Sequence, residues 1–495
     1  PDGGYIVGGY FGSTIILDNG ITLTNKGSYD GMVIKYNAEG EAEWAKVIGG
    51  SSNDYINSVA ASEDGSYIVG GYFWSSTIEL DDGITLTNKG LNDGMVIKYN
   101  AEGETEWAKA IEGSENELIE TVAASSDGGY IIGGYFYSKT IELDNEITLT
   151  NNGQQDGMLI KYNAEGTVEW AKVIGGSSFD FIRSLVVSPD GGYIVGGNFQ
   201  SSLIELDNGI SLYNINTSYS NGMIIKYSAE GESEWAKAIG GNATDTITSV
   251  ATSADGGYIV GGNFQSRTIE LENGIILANK GSRDGMLIKC KIKDTISSSI
   301  KYGEVIGGNG SDSITSLVAS SDGGYIVGGN FQSRTIELEN GITLTNKGSY
   351  YEDGMIIKYN VEGKVEWARV IGGSSRDFIT SVAVSADGGY IVGGWFSSRT
   401  IELENGITLT NKGDDDGMII KYSAEGKAEW AKAIGGNKDD SITSIAASSD
   451  GGYIVGGHFS SSTVELDNGI TLTNKGNDDG ILLKYSEEGT VEWSK

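Results

Sequence analysis

The sequence has few of the residues from which disulfide frameworks and most small catalytic sites are built. It contains one cysteine, one histidine and two prolines among 495 residues. A single cysteine cannot form a disulfide framework. A single histidine argues against His-based metal sites and against Ser/His or Cys/His nucleophilic catalysis. Because proline is so scarce, glycine, asparagine and aspartate must form nearly every turn.

The sequence also lacks long apolar runs and positive charge. No apolar stretch approaches the ~18 to 20 residues that span a bilayer, so direct membrane insertion is not expected. Lysine and arginine total 34 against 68 aspartate and glutamate, which gives a formal net charge of -34. Such a surface repels phosphate groups, which argues against nucleic acid and anionic membranes as partners.

What the sequence has in abundance is repetition. The phrase Asp-Gly-Gly-Tyr-Ile-Val-Gly-Gly at 190–197 recurs in close variants that begin at Asp2, Asp64, Asp127, Asp190, Asp255, Asp322, Asp387 and Asp450. These eight copies lie on average 64 residues apart, a period typical of solenoids, propellers and other repeat arrays. We therefore expect a single domain over residues 1–495. Because the chain begins inside a repeat, we also expect it to be part of a longer protein.

Each repeat is rich in strand and turn signals, and no long segment shows helical spacing. In the fourth repeat, apolar runs at 185–187 and 193–195 flank the turn residues 188–192, and two further strand patterns cover 222–227 and 234–239. We label these four strands A, B, C and D. Between B and C, alternating residues on both sides of an Asn-Gly at 208–209 predict a hairpin with one buried and one exposed face.

Four antiparallel strands per repeat predict the blade of a β-propeller. The sequence thus predicts an all-β, eight-bladed β-propeller whose four-stranded blades each carry an extended B–C hairpin. A seven-bladed ring plus a partial blade, or an open β-repeat stack, remain alternatives. The chain supplies eight B, C and D strands but seven A strands, from the one centred on Val59 to the one centred on Ile445. We expect the flanking chain, on one side or the other, to supply the eighth.

Two runs carry a resemblance to a known family. They are Asp-Gly-Met-Val-Ile-Lys-Tyr-Asn-Ala-Glu-Gly at 93–103 with Glu-Trp at 106–107, and Ile-Gly-Gly at 174–176 leading to the repeat phrase at 190–197. They resemble the bacterial beta-propeller repeat family found in large surface and secreted proteins. The resemblance implies a propeller fold and an extracellular or cell-surface location in a bacterium, and it brings no catalytic motif. The B–C hairpin departs from the family, and we expect it to make each blade taller or to protrude as a flap.

The repeated carboxylates invite an acid/base interpretation, because glycosidases need two carboxylates at a set separation. However, the Asp of Asp-Gly-Gly and the Asp of Asp-Gly-Met recur in almost every repeat, and Asn221 replaces the latter once. We therefore interpret both as turn-forming residues. Acidic runs at 81–82, 414–416 and 478–479 are candidate Ca²⁺ ligands. No calcium-loop motif accompanies them, so no metal or other cofactor is predicted and Ca²⁺ stays an alternative.

The most informative positions are those that vary within the fixed repeat. The residues on either side of the constant Phe at the end of strand B are largely aromatic in three repeats and amides in three others. The candidate ligand-binding residues are Tyr10, Tyr72, Trp74, Tyr135, Tyr137, Asn198, Gln200, Asn263, Gln265, Asn330, Gln332, Trp395 and His458. Aromatic faces and amides suit stacking on, and hydrogen bonding to, sugars or an extended peptide. Variation in blade-to-blade packing is the other explanation.

These observations favour a non-enzymatic binding or scaffold module of a cell-surface or secreted protein, which mediates protein–protein interaction or adhesion. A lectin-like, carbohydrate-binding propeller is the alternative, so the expected partner is a protein or a glycan. A glycoside-cleaving enzyme is disfavoured because no carboxylate stands apart from the repeat. The constant Phe, the Met of Asp-Gly-Met and Cys290, which replaces a Tyr, are interpreted as core residues.

Overall fold

The fold is an eight-bladed β-propeller of four-stranded antiparallel sheets, as the sequence predicts. The computed structural model describes residues 3–81, 83–253, 255–294, 297–348, 350–448, 450–467 and 469–495. In these residues the only helical segments are the 3₁₀ turns Asp144–Glu146, Asp207–Gly209, Glu272–Gly274 and Glu404–Gly406. The first repeat contributes strands B, C and D to a three-stranded sheet within the described residues.

The strands follow the repeat closely, and each four-stranded sheet has the order A-B-C-D. The A strands of repeats 2 to 8 are Asp54–Ala61, Glu117–Ala124, Asp180–Val187, Asp245–Thr252, Asp312–Ala319, Asp377–Val384 and Asp440–Ala447. The B strands are Tyr5–Phe11, Tyr67–Phe73, Tyr130–Phe136, Tyr193–Phe199, Tyr258–Phe264, Tyr325–Phe331, Tyr390–Phe396 and Tyr453–Phe459. The C strands are Asp30–Tyr36, Asp93–Tyr99, Asp156–Tyr162, Asn221–Tyr227, Asp284–Asp294, Asp353–Tyr359, Asp416–Tyr422 and Asp479–Tyr485. The D strands are Ala42–Ile48, Thr105–Ile111, Val168–Ile174, Ser233–Ile239, Ser297–Ile306, Val365–Ile371, Ala428–Ile434 and Val491–Ser494.

A short hairpin lies between strands B and C of every repeat. Its first strands are Ile15–Ile16, Thr77–Glu79, Thr140–Glu142, Leu203–Glu205, Thr268–Glu270, Thr335–Glu337, Thr400–Glu402 and Thr463–Glu465. Its second strands are Thr22–Leu23, Thr85–Thr87, Thr148–Thr150, Ser211–Tyr213, Ile276–Ala278, Thr343–Thr345, Thr408–Thr410 and Thr471–Thr473. One face is buried and the other exposed, as predicted. In the third repeat Asn145 Nδ2 donates to the strand D carbonyl of Val168 at 2.9 Å, which ties the hairpin to the sheet.

The chain divides into two compact units. The first ends at Val250 and the second begins at Ala251, except that Asp294–Ser297 belong to the first. Within each unit the core lies between consecutive sheets. In the first unit, for example, Ile68 and Val96 of repeat 2 pack with Ile132 and Ile160 of repeat 3. In the inner repeats the central strands B and C are buried along nearly their whole length, as in repeats 3 and 4, which explains the continuous apolar runs of strand C.

The paired glycines of strand B permit two close approaches. A Cβ added to Gly70 would lie 2.5 Å from Cγ1 of Val122, on the A strand of the following repeat. A Cβ added to Gly71 would lie 1.9 Å from the carbonyl oxygen of Tyr55. Tyr55 lies beside a register shift between Ile56 and Ser58, so the bulge occurs in strand A. Crowding between strands therefore requires glycine at both positions.

The strand D tryptophan joins one repeat to the next. Trp107 Nε1 donates to the carbonyl of Ala164, in the C–D turn of repeat 3, at 3.0 Å. The indole covers Gly166, whose φ is +79° and whose added Cβ would lie 2.5 Å from the ring. The same bond is made by Trp44, Trp170, Trp367 and Trp430. A glycine at the turn is thus required both by its backbone conformation and by the neighbouring ring.

The Asp of Asp-Gly-Gly forms the predicted turn and also an ion pair. The Asp127 carboxylate accepts the Gly129 N–H at 2.9 Å. It also pairs at 2.9 Å with the fully buried ammonium of Lys161, which pairs on its other side with Glu169. Burial acts to raise the pKa of Asp127, but the hydrogen bonds from Lys161 and Gly129 lower it overall.

The Asp of Asp-Gly-Met is not a turn residue, so that interpretation was wrong. Asp156 is the first residue of strand C and is fully buried. Its Oδ2 accepts the Asn152 N–H at 2.7 Å. Beside it lies the equally buried carboxyl group of Asp180, the first residue of the next A strand, whose charge acts to raise the pKa of Asp156. An Asp-Gly pair is typical of a turn when only the local sequence is considered. The carboxyl group that lies beside this Asp in the fold is distant in the sequence, so the local pattern does not reveal it.

Candidate functional site

Four tyrosine rings from repeats 1 and 2 are in mutual contact on the surface of the first unit. Tyr10 packs edge-on against Tyr55 with ring centres 4.9 Å apart, and against Tyr29 at 5.7 Å. Tyr55 stacks on Tyr72 at 5.0 Å and on Tyr29 at 6.3 Å. We call this cluster of Tyr10, Tyr29, Tyr55 and Tyr72 the aromatic patch. Two of its members, Tyr10 and Tyr72, are among the residues predicted from the sequence.

Strand register brings these rings together. Tyr55, the second residue of strand A, pairs directly with Tyr72, the sixth residue of strand B. Side chains alternate between the two faces of strand B. Phe73 is buried, and its neighbours Tyr72 and Trp74 project on the opposite side from it. Tyr10 occupies in repeat 1 the position that Tyr72 occupies in repeat 2. Tyr29 precedes strand C of repeat 1 and is bridged to Asn53 in the D–A connection.

The aromatic patch is accessible and uncharged. Tyr10 is 55% exposed and Tyr29 is 45% exposed, and Tyr55 and Tyr72 are partly buried beneath them. Burial and the neighbouring tyrosines Tyr10 and Tyr29 raise the pKa of Tyr55. Burial raises the pKa of Tyr72, and the charge of Glu120 adds to that rise. Their hydroxyl groups therefore stay protonated through the neutral range and can donate hydrogen bonds.

Further predicted aromatic residues flank the patch. Trp74 is 49% exposed, and its backbone N–H donates to the carbonyl of Asn53 and to the buried carboxylate of Asp54. In repeat 3, Tyr135 contacts Tyr137 at 6.3 Å and Phe181 of repeat 4 at 5.4 Å. Burial and the charge of Glu120 raise the pKa of Tyr135 to about 12. Tyr72 of the aromatic patch is among the groups that raise the pKa of Tyr135, so Tyr135 lies near the patch.

The predicted amide positions are largely engaged within the fold. Asn263 Oδ1 accepts the backbone N–H of Ile314 at 2.9 Å, and Asn330 Oδ1 accepts that of Ile379 at 2.7 Å. In both cases the donor lies on the A strand of the following repeat, so these amides join repeats. In the first unit, Asn198 is buried and accepts a bond from Arg183.

The predicted glutamines support loops or lie at the surface. Gln200 Nε2 donates to the Thr217 carbonyl, and Gln332 Nε2 to that of Tyr350, each at 3.0 Å. Both acceptors belong to the loop before strand C. Gln265 occupies the same repeat position and is exposed.

The last two predicted residues lie in the second unit. Trp395 stacks on Phe378 of its own sheet with ring centres 4.5 Å apart. His458 is exposed, and both of its ring nitrogens lie 3.3 Å from the Ser441 hydroxyl group. Neither joins a cluster of the size found in repeats 1 and 2.

Sequence reasoning missed Tyr29 and Tyr55. Both lie outside the strand B segment that was compared between repeats. The same comparison applied to the second residue of strand A would have found Tyr55. That position reads Tyr55, Leu118, Phe181, Thr246, Ser313, Phe378 and Ser441 in repeats 2 to 8. The loop before strand C is equally variable, and it supplies Tyr29.

The acidic residues form no evident metal site. Across the described residues, no group of three or more His, Cys, Asp or Glu side chains is placed to hold a metal ion. Within the acidic run 414–416, Asp416 is buried, and Asp415 accepts a hydrogen bond from the Ser397 hydroxyl group. Asp82, in the first acidic run, lies outside the described residues. The same part of the chain contains no helix long and apolar enough to cross a membrane.

Comparisons with known proteins find matches of low sequence identity. No family model matches the chain. An uncharacterized WD repeat-containing protein of Acanthamoeba polyphaga mimivirus is 22% identical over 416 residues, which are 70% of this chain and 30% of that protein. The regulatory protein FlaEY of Caulobacter vibrioides is 21% identical over 440 residues, which are 83% of this chain and 44% of that protein. The chain therefore spans less than half the length of either relative.

Solved structures with a similar arrangement have low sequence identity. Sqt1 from Chaetomium thermophilum is 11% identical with a TM-score of 0.45, covering 91% of this chain and 90% of that one. The Pan2 WD40 domain of Neurospora crassa is 11% identical with a TM-score of 0.36, covering 81% of this chain and 85% of that one.

Proposed function

We propose that this chain is a protein-interaction scaffold and that the aromatic patch docks a protein partner through a segment that carries lysine or arginine. The observation that supports this most directly is the four-ring contact itself. Tyrosine is enriched at the centres of protein interfaces, where a rigid ring supplies contact area and a hydroxyl group. Clustered exposed rings on a soluble surface mark interaction sites more often than scattered ones do.

The charge of the chain favours a basic partner. With a net charge of -34, the protein attracts cationic segments over a long range and repels acidic ones. The tyrosine rings are neutral, and their faces attract ammonium and guanidinium groups. Short-range contacts with the rings and long-range electrostatic attraction therefore both favour lysine and arginine side chains.

The relatives support a scaffold as the general role. One is named for its WD repeats and the other is named a regulatory protein, and neither printed name denotes an enzyme. The buried carboxyl pairs of this chain have no exposed surface with which to reach a substrate, as Asp156 and Asp180 illustrate. Both observations support binding rather than catalysis.

We propose further that the scaffold belongs to a cell-surface or secreted bacterial protein and contributes to adhesion. Its support is the resemblance of the repeats at 93–107 and 174–197 to those of large surface proteins. Protease treatment of intact source cells tests this location. Digestion of the repeats without cell lysis is the expected result, and protection until lysis would contradict it.

A peptide array probed with the purified chain tests the docking proposal. The double variant Tyr10→Ala/Tyr29→Ala is expected to weaken binding to Lys- and Arg-containing peptides at least tenfold, because two exposed rings are lost. The matched control is Tyr213→Ala, which removes an exposed tyrosine from the hairpin of repeat 4. Binding should also weaken as salt rises.

A glycan array run in parallel separates the lectin alternative. Glycan binding that the double variant abolishes, together with silence on the peptide array, would contradict a protein partner and support a carbohydrate ligand. Equal peptide binding by the double variant and by Tyr213→Ala would remove the aromatic patch as the docking surface.

A further inference from the structure

At seven places where consecutive repeats meet, which we call joints, two side chains are buried together. Most of these side chains are acidic. One is the first residue of strand C, and the other is the first residue of the A strand that follows. The pairs are Asp30 with Asp54, Asp93 with Glu117, Asp156 with Asp180, Asn221 with Asp245, Asp284 with Asp312, Asp353 with Asp377, and Asp416 with Asp440. All fourteen side chains are buried. Two ionised carboxylates in such a place would repel each other at low dielectric.

The A-strand carboxylate is the better satisfied of the two. Oδ2 of Asp180 accepts the Gly176 N–H at 2.9 Å and the Ser201 hydroxyl at 2.6 Å. Its Oδ1 accepts the backbone N–H groups of Gln200 and Ser201 at 3.1 and 3.2 Å. Burial raises the pKa of Asp180, and the four donors that converge on its carboxyl group act against that rise.

The strand C carboxyl group, in contrast, has an oxygen without a partner. In five joints one buried oxygen accepts no hydrogen bond, and these atoms are Oδ1 of Asp30, Asp156, Asp284, Asp353 and Asp416. The other oxygen of Asp156 accepts the Asn152 N–H at 2.7 Å. A buried, unpartnered carboxylate oxygen is costly, whereas a protonated oxygen becomes a donor.

The joint has little room for another species. A Cβ added to Gly175 would lie 2.3 Å from Oδ1 of Asp156, so the carboxyl group packs directly on the glycine backbone. The charged groups that act on Asp156 are the Asp180 carboxylate and the ammonium of Lys139. That ammonium is bound to the carbonyl of Asn151 at 2.5 Å.

We infer that each acidic joint holds one proton. In the Asp–Asp joints the strand C carboxyl group carries it and donates an O–H hydrogen bond to the A-strand carboxylate, and in the second joint Asp93 and Glu117 share it. The proton is taken from solvent when the joint forms and returns to solvent when it opens. Folding of the chain is therefore coupled to the uptake of several protons, one at each acidic joint.

Two natural departures from the Asp–Asp pattern agree with this inference. In the second joint Glu117 replaces Asp, and its carboxyl group lies within hydrogen-bonding reach of Asp93, a bond that requires a proton on one of them. In the fourth joint Asn221 replaces the strand C acid. An amide is the neutral counterpart of a protonated carboxyl group, and a half-turn of its end places an N–H donor where Oδ1 stands.

Burial raises the pKa of carboxyl groups on both sides of the joints, and where both are valued the strand C group is the higher, since the pKa of the A-strand residue Asp377 is raised to about 6. Burial first, and then the neighbouring carboxylate, raise the pKa of Asp156 from 3.8 to about 7 despite the hydrogen bond from Asn152. The same causes raise the pKa of Asp353 to about 7, and those of Asp284 and Asp416 to about 6. Burial is also the first cause of the raised pKa of Glu117, at about 7.

Linkage fixes the sign of the effect on stability. Between pH 4 and 7 the folded joint holds a proton that the unfolded chain has lost, so stability is greatest near pH 4 and falls as the pH rises to 7. Each joint raises the unfolding equilibrium constant up to tenfold per pH unit in this window. The ion pairs of the Asp-Gly-Gly turns act in the opposite direction and below this window, because the pKa of Asp127 is lowered.

The test compares the pH dependence of urea unfolding in three variants. Asp156→Asn removes one proton-binding site. Between pH 4 and 7, the factor by which its unfolding equilibrium constant increases per pH unit should therefore be up to ten times smaller than the wild-type factor. Asn221→Asp creates one site and should steepen the dependence by the same factor. Asp414→Asn removes one exposed charge outside the joints and should leave the slope nearly unchanged, which controls for net charge.

Infrared spectroscopy supplies a second measurement that needs no unfolding. The C=O band of protonated carboxylic acids should be present in the native protein at pH 6, weaker in Asp156→Asn and stronger in Asn221→Asp. Identical slopes in Asp156→Asn and Asp414→Asn, or no such band in the native protein, would overturn the inference. So would a native state whose stability at pH 7 depends on added Ca²⁺ or Na⁺, because a cation would then occupy the joint.

Discussion

Asp180→Ala is expected to lower the free energy of unfolding by about 3–5 kcal/mol. The substitution removes an acceptor from four donors, which are the N–H groups of Gly176, Gln200 and Ser201 and the Ser201 hydroxyl. Of these, the Gln200 N–H keeps the Phe179 carbonyl as an acceptor at 2.9 Å. No alanine atom can accept those bonds, and the site is closed to solvent. The substitution also removes the acceptor that the inferred O–H of Asp156 requires. The urea midpoint, followed by tryptophan fluorescence, measures the effect.

Two variants control for this prediction. Asp180→Asn keeps one acceptor oxygen and should lie between Asp180→Ala and the wild type. Asp144→Ala removes a partly exposed carboxylate that pairs with Lys109 on the surface, and it should change stability by less than about 1 kcal/mol. Equal midpoints for Asp180→Ala and Asp144→Ala would show that the four buried hydrogen bonds contribute little.

Trp107→Ala is expected to cost about 3–5 kcal/mol, the range for truncating a buried aromatic residue. The indole is 8% exposed and contacts Tyr130 and Tyr162 at ring-centre distances of 6.0 and 5.5 Å. Its loss opens a cavity above Gly166 and leaves the Ala164 carbonyl with the Lys98 ammonium, at 3.2 Å, as its remaining donor. The same urea experiment, with tyrosine fluorescence or circular dichroism as the signal, measures the effect.

The matched control for Trp107 is another tryptophan of repeat 2. Trp74→Ala removes a half-exposed indole, and it should leave the urea midpoint within about 0.5 kcal/mol of the wild type. Trp107→Phe should be milder than Trp107→Ala because it retains a ring over Gly166. A midpoint for Trp107→Ala that matches Trp74→Ala would mean that this contact between repeats 2 and 3 does not stabilise the fold.

Most of the fold follows from local patterns in the sequence. Strand alternation, turn residues and the repeat period identify strands A to D, the hairpins and the seven A strands. The interpretations of the constant Phe and of Cys290 as core residues are confirmed, because Phe199 and Cys290 are fully buried. These features depend on neighbours within one repeat, which a local pattern records directly.

The features that sequence reasoning missed depend on contacts between repeats. Asp156 looks like a turn residue until Asp180, which follows it by 24 positions, is seen beside it. Asn330 looks like a free surface amide until its bond to Ile379 of the next A strand is known. Tyr55 reaches the aromatic patch only through its register with Tyr72. The proposed ligand-binding role of these positions stays a prediction.

The tryptophan contact has an evolutionary consequence. Trp107 meets the turn of repeat 3 through the same donor, acceptor and glycine that Trp367 uses on repeat 7. If unequal crossing-over between gene segments deletes or duplicates one repeat, the new junction carries matching groups on both sides. Copy number can therefore change in one genetic event without a new interface having to evolve. Lineages that carry these repeats are expected to differ in length by whole repeats rather than by fractions of one.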